Sequence, residues 1–104
     1  MHALLHFRRG GTGRRPGVWA LAIWIDSRSE TFESVGRPTK KRARFAHKRY
    51  PGSLRISRVE EGVAKVVFLG RARDQLLSSF MGWLARSGGS HVERVELFLD
   101  EPEP

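Results

Sequence analysis

The chain has 104 residues, of which 39% are hydrophobic, and it carries a formal net charge of +8 at pH 7. A chain of this length can form one domain that buries roughly 60 to 65% of its unfolded surface. The absence of cysteine excludes disulfides, thiolate catalysis and cysteine-bound metal sites. It is also compatible with a reducing compartment, so we expect a cytoplasmic protein. The longest apolar run, residues 18–25, is shorter than the roughly 18 residues that a membrane-spanning helix needs.

Residues 1–17 are rich in arginine and glycine, with the stretch HFRRGGTGRRPG at their centre. This composition buries little surface and favours a mobile backbone. We therefore predict a flexible basic arm ahead of a single domain over residues 18–99. Four arginines of the arm would assist binding to a polyanion: Arg8, Arg9, Arg14 and Arg15.

The eight residues 18–25, VWALAIWI, are rich in β-branched and aromatic side chains, which favours a central strand that is apolar on both faces. Residues 29–52 allow two interpretations. In the first, Thr39 caps a short helix over residues 40–49, and the element order is ferredoxin-like, β-α-β-β-α-β. In the second, residues 30–35 pair with the first strand, the basic run is a loop, and a four-stranded meander precedes one helix and one strand.

The second half of the chain gives clearer signals. Residues 54–59 and 63–69 predict a hairpin across Glu60, Glu61 and Gly62, because glycine accepts the positive φ of a tight turn. Residues 71–86 carry an apolar stripe at helical spacing and predict an amphipathic helix. Residues 91–99 predict a last strand with Phe98 on its outer face, and the acidic, proline-rich residues 100–104 are expected to fray. Either interpretation of residues 29–52 therefore predicts a small α+β domain whose antiparallel sheet is backed by one main helix.

The basic segment, residues 37–58, holds nine Lys or Arg and no Asp or Glu. Residues 1–58 contain 14 basic and 3 acidic side chains, whereas residues 59–104 contain 5 and 8, so the positive charge lies in the first half. Clustered cations interleaved with rings are typical of surfaces that bind phosphates and stack bases. We expect RNA or DNA as the partner and predict these binding residues: Arg37, Lys40, Lys41, Arg42, Arg44, Phe45, His47, Lys48, Arg49, Tyr50, Arg55 and Arg58. Phe45 and Tyr50 are the predicted stacking rings.

We predict no catalytic residue and no cofactor. We also predict no metal site, because the four histidines form no metal-binding constellation: His2 and His6 are spaced to share a face but have no Asp or Glu nearby. Three alternatives remain open. A basic interaction module or a phage-type inhibitor could dock on an acidic protein surface, since net charge does not distinguish this partner from a nucleic acid. A small ribonuclease could use His47 as its base beside neighbouring cations. A metal-dependent nuclease could hold magnesium at Asp26 in a homodimer.

Overall fold

Six antiparallel strands form one sheet, and two helices cover one of its faces. The computed structural model describes residues 1–9, 17–87 and 91–99. Its elements in chain order are β1 (His2–Phe7), α1 (Val18–Arg28), β2 (Phe32–Ser34), β3 (Arg42–His47), β4 (Ser53–Glu60), β5 (Val63–Leu69), α2 (Arg73–Ser87) and β6 (Val92–Phe98). The strand order in the sheet is β2-β3-β4-β5-β1-β6. The α+β class with a helix-backed antiparallel sheet is thereby confirmed.

The core lies between the helices and the inner face of the sheet. Because strand side chains alternate between faces, every second residue of a strand points inward. Leu5, Phe45 and Ile56 are fully buried at such positions, against Leu21 of α1 and Phe80 of α2. All sheet residues of this hydrophobic core lie on the same face of the sheet. Among the described residues no helix packs on the opposite face, which we call the open face.

Both local predictions for the middle of the chain are confirmed. β4 and β5 pair directly, and Gly62 takes a φ of +78° in the turn between them. α2 buries Leu76 and Phe80 from the predicted stripe. The last strand is also present as β6, and Phe98 lies on its outer face, 41% exposed. No helix in the described part of the chain is long and apolar enough to cross a membrane.

The strand predicted for residues 18–25 is wrong, because these residues form the first turns of α1. An apolar run of eight residues fits a buried strand and a buried helix equally well, and its β-branched and aromatic composition favoured the strand. The burial follows the helical period instead. Val18, Leu21 and Ile25 are buried at i, i+3 and i+7, whereas Trp19 and Ile23 remain 54% and 43% exposed.

The predicted flexible arm is wrong for its first residues. His2–Phe7 form β1, which lies in the sheet between β5 and β6. Ala3, Leu5 and Phe7 are buried at alternate positions. Burial of every second residue over six residues is typical of a half-buried strand. The glycines and arginines that follow in the sequence favoured a flexible segment instead. The rest of the arm, residues 10–16, and the predicted frayed tail, residues 100–104, lie outside the described residues.

Neither interpretation of residues 29–52 is correct for its basic residues 40–49, because β3 lies within this stretch where a helix or a loop was predicted. The Oγ1 atom of Thr39 accepts hydrogen bonds from the N–H groups of Lys41 and Arg42, at 3.2 and 3.1 Å. This resembles a helix cap, but here it closes a turn that leads into a strand. β2 pairs with β3 and not with residues 18–25, so the four-stranded meander is wrong. The ferredoxin-like interpretation misplaced its first strand and first helix, but the β-α-β-β-α-β succession itself is present in β1, α1, β4, β5, α2 and β6, with β2 and β3 added between α1 and β4.

Candidate functional site

The open face of β3 and β4 gathers the cations of the basic segment. Arg44 lies directly opposite Arg55 in the register of these two strands. In the next row Arg42 lies opposite Ser57, which in turn lies opposite Lys65 of β5. Side chains directly opposite on an antiparallel pair have Cβ atoms about 5 Å apart. Four cations of three adjacent strands therefore form one group, which we call the cationic cluster: Arg42, Arg44, Arg55 and Lys65.

The cationic cluster is not neutralised from within the described chain. The ion pairs among the described residues involve only His6, Arg94 and Glu96, at the far edge of the sheet. Like charges directly opposite on neighbouring strands destabilise a sheet. The fold thus holds Arg44 beside Arg55 at a cost that an external anion would offset.

The row that contains these two arginines ends in an exposed aromatic ring. From Arg44 and Arg55 the register continues through Val67 of β5 and His2 of β1 to Phe98 of β6. The His2 and Phe98 rings are stacked, with centroids 4.6 Å apart and planes inclined by 10°. Four strand spacings of about 4.8 Å separate Arg44 from Phe98, roughly 19 Å. The row therefore joins two opposed guanidinium groups to an exposed aromatic ring.

The far edge of the open face is electrically balanced. The Oε1 atom of Glu96 lies 2.5 Å from Nε2 of His6, and Nη2 of Arg94 lies 3.5 Å from the same oxygen. The guanidinium also approaches Nε2 of His6 at 3.4 Å. The positive potential of the open face is therefore concentrated on β3, β4 and β5.

Phe45 does not belong to a binding surface, which corrects its assignment as a stacking ring. Its side chain is fully buried, on the inner face of β3 opposite Leu54 of β4. The flanking Arg42 and Arg44 suggested a solvated segment, but alternation along the strand sends them to one face and Phe45 to the other.

His47 is also a buried residue, only 9% exposed, and its hydrogen bonds give it a structural role. Its Nδ1 accepts hydrogen bonds from the N–H groups of Arg49 and Tyr50, at 2.9 and 3.1 Å. The neutral ring therefore carries its proton on Nε2, which lies 3.1 Å from Oγ of Ser79 and donates to it. Burial, followed by the charge of Arg49, lowers the pKa of His47 and keeps this form at neutral pH. With both nitrogens engaged, His47 is not arranged to act as the base of a ribonuclease.

The residues that follow β3 line a separate cleft against α2. This cleft has a volume of about 680 Å³, and Lys48, Arg49 and Tyr50 form one wall. Glu30 and Asp74 contribute to the same lining, so its cations are matched by carboxylates. Tyr50 is 37% exposed there and does not lie on the row of the open face. The structure thus divides the basic segment into a strongly cationic open face and a mixed-charge cleft.

The other predicted binding residues lie at the margins. Arg37, Lys40 and Lys41 are exposed in the segment before β3. The N–H group of Arg58, near the end of β4, donates to the carbonyl oxygen of Lys41, so the backbones of these two residues lie side by side next to Arg42 and Ser57. Two arginines of the predicted arm, Arg8 and Arg9, follow β1 and are exposed, and the other two, Arg14 and Arg15, lie outside the described residues.

Asp26 does not occupy the position that a metal-dependent nuclease would require. It lies in α1 rather than at the end of a strand. In the described residues no three His, Asp or Glu side chains come together in a group that could hold a metal ion. The geometry therefore does not favour this alternative.

Two residues of the site were absent from the sequence-based selection, Lys65 and Phe98. The alternation within β5 and β6 predicts their outward orientation, but it does not predict that β1 places the two strands in one sheet. No protein-family model, curated protein or solved structure matches this chain. The geometry of the open face is therefore the basis for a functional proposal.

Proposed function

We propose that this protein binds RNA or single-stranded DNA on the open face of its sheet, without catalysis and with low sequence specificity. The observation that carries the proposal is the direct opposition of Arg44 and Arg55, two guanidinium groups with no carboxylate partner in the described chain. Each guanidinium offers a planar fork of N–H donors that matches a phosphate. A phosphate between them would offset their mutual repulsion.

A strand laid along the row would use two kinds of contact. Phosphates would lie on the cationic cluster, and a base would stack on Phe98, whose ring is 41% exposed. The roughly 19 Å between the two ends of the row accommodates several nucleotides, since successive phosphates of one strand lie about 3.4 Å or more apart along the axis.

Low sequence specificity follows from the chemistry of the cluster. Arginine and lysine contacts to phosphates fix the position of a strand but do not distinguish its bases. Stacking on one ring is likewise tolerant of sequence, because every base has an aromatic face. Affinity is therefore expected to depend on strandedness and length more than on base order.

The experiment that tests the proposal maps the bound strand and identifies its chemical class. A fluorescent single-stranded oligonucleotide is titrated with the protein, and amide shifts are mapped by NMR. Shifts concentrated on β3, β4 and β5 support the proposal, whereas shifts confined to the cleft at Lys48 and Arg49 contradict it. Polyglutamate serves as a competing acidic polypeptide. If polyglutamate binds the open face and the oligonucleotide does not, the partner is an acidic protein surface instead.

A further inference from the structure

The two edges of the sheet differ in how far they are protected against pairing. β2 spans only three residues and is followed by Gly36 and Pro38, and short strands of this kind discourage pairing with another chain. β6 spans seven residues and contains no proline. Within the described residues it pairs with β1 on one side alone. The register of β6 against β1 shifts between Arg94 and Val92, so its regular row of backbone donors and acceptors runs from Arg94 to Phe98, which is still longer than that of β2.

The charges of β6 would normally discourage pairing of such an edge, but their order is self-complementary. The strand reads VERVELF, with Arg94 and Glu96 placed symmetrically about Val95. In an antiparallel pair of two copies centred on Val95, Arg94 of each copy lies directly opposite Glu96 of the other. Two opposite-charge pairs then form on the open face, the arrangement that stabilises cross-strand neighbours.

Neighbouring registers lack this match. Moving the centre by one residue places Arg94 opposite Arg94, or Glu96 opposite Glu96, and like charges directly opposite are unfavourable. A register centred between two residues would place inward-facing side chains of one copy opposite outward-facing side chains of the other. The sequence of β6 thus selects one register from the set that an exposed strand could adopt.

We propose that β6 is the dimerisation strand of this protein and pairs antiparallel with β6 of a second copy, about a two-fold axis at Val95. The result is a continuous twelve-stranded sheet in which the same patch of each protomer contacts its equivalent. The charge complementarity of two β6 strands identifies a second copy of this chain as the partner. This proposal does not depend on the proposed nucleic-acid binding.

The test exploits the symmetry of the two charge pairs. Arg94→Glu alone places two carboxylates opposite each other, and Glu96→Arg alone places two guanidiniums opposite each other. Each single variant should raise the dimer dissociation constant at least tenfold. An equimolar mixture of the two variants should dimerise as a heterodimer, because every opposed pair is then of opposite charge. The double variant, Arg94→Glu with Glu96→Arg, should again form a homodimer.

Sedimentation equilibrium of nucleic-acid-free protein measures these states against the protomer mass of 11.8 kDa. A wild-type chain that stays monomeric from micromolar to millimolar concentration would overturn the proposal, and so would single variants that dimerise as well as the wild type. Circular dichroism checks that each variant is folded, since Glu96 also contacts His6.

Hydrogen exchange of the unmodified chain gives a second test that needs no variant. Amides of β6 should become protected as protein concentration rises, whereas amides of β2 should not change. Protection that is independent of concentration along all of β6 contradicts the pairing.

Discussion

Removing the cationic cluster is the most direct perturbation of the proposed site. The variant carries Gln in place of Arg42, Arg44, Arg55 and Lys65. All four side chains project from the open face of strands that are held by inward-facing core residues. Glutamine keeps a polar, uncharged side chain at each position, although it is shorter than arginine or lysine. We therefore expect a folded protein, and one at least as stable as the wild type because the opposed Arg44 and Arg55 no longer repel.

The magnitude follows from counterion release. Each phosphate neutralised on a single strand contributes about −0.7 to the slope of log K against log salt concentration. If all four cations contact phosphates, the variant should lose roughly 2.8 of the slope shown by the wild type. The difference in affinity should therefore be largest at low salt and shrink as salt is added.

Fluorescence anisotropy with one labelled oligonucleotide, repeated over a salt series, measures both slopes. The matched control removes the same amount of charge from the helical side of the molecule, with Gln at four exposed positions: Arg28, Arg71, Arg73 and Arg86. Net charge falls equally in the two variants, so long-range attraction changes equally. Only the open-face variant should lose the full slope. Equal losses in both variants would refute the assignment of the site and indicate a response to net charge alone.

Other predictions concern stability. Phe45→Ala should cost about 3 to 5 kcal/mol, the usual cost of truncating a fully buried phenylalanine, and denaturant unfolding should show this, whereas an unchanged midpoint would place the ring outside the core. Because the pKa of His47 is lowered in the fold, the unfolded chain binds more protons just below pH 6.5, so the free energy of unfolding should decrease as the pH is lowered through that range. His47→Gln should be less stable at neutral pH and show a weaker pH dependence, and an unaltered pH profile would contradict the assignment. Gly52 has a φ of +126°, and an added Cβ would lie 2.4 Å from the carbonyl oxygen of Leu69. Gly52→Ala should therefore destabilise the protein by more than the ~1 to 3 kcal/mol of backbone strain alone, whereas Gly36→Ala, with a φ of +76° and open space around it, should show that strain only. Equal thermal shifts for the two glycine variants would refute the predicted clash.

The sequence was sufficient to predict those helices and strands whose buried face is defined by their own residues. The β4–β5 hairpin has alternating apolar residues and a glycine at the turn, and both strands contact each other over a short separation in the chain. α2 carries its apolar stripe at helical spacing and needs no distant residue to define its buried face. The class of the fold followed from these elements, and the alternation within residues 91–99 predicted the outward position of Phe98.

The candidate site was predicted in part. Arg42, Arg44 and Arg55 were selected from charge alone, and the structure places them together on one face. Phe45 was selected by the same argument and is buried, because a run of cations hides the alternation that separates the two faces of β3. Charge indicated the segment, but only the pairing of β3 with β4 distinguishes the side chains that face solvent from those that face the core.

What the sequence determined by itself is thus the set of local elements with unambiguous periodicity, the location of the positive charge and the α+β class. Tertiary structure decided the rest. Residues 18–25 become a helix because Val18, Leu21 and Ile25 then cover the inner face of the sheet. β1 becomes a central strand because it pairs with β5 and β6, from the far end of the chain, as in the contact between His2 and Val67. An apolar run that fits both a helix and a strand adopts the conformation that buries it against residues distant in the sequence. The local sequence does not show which residues those are, so it cannot decide between the two conformations.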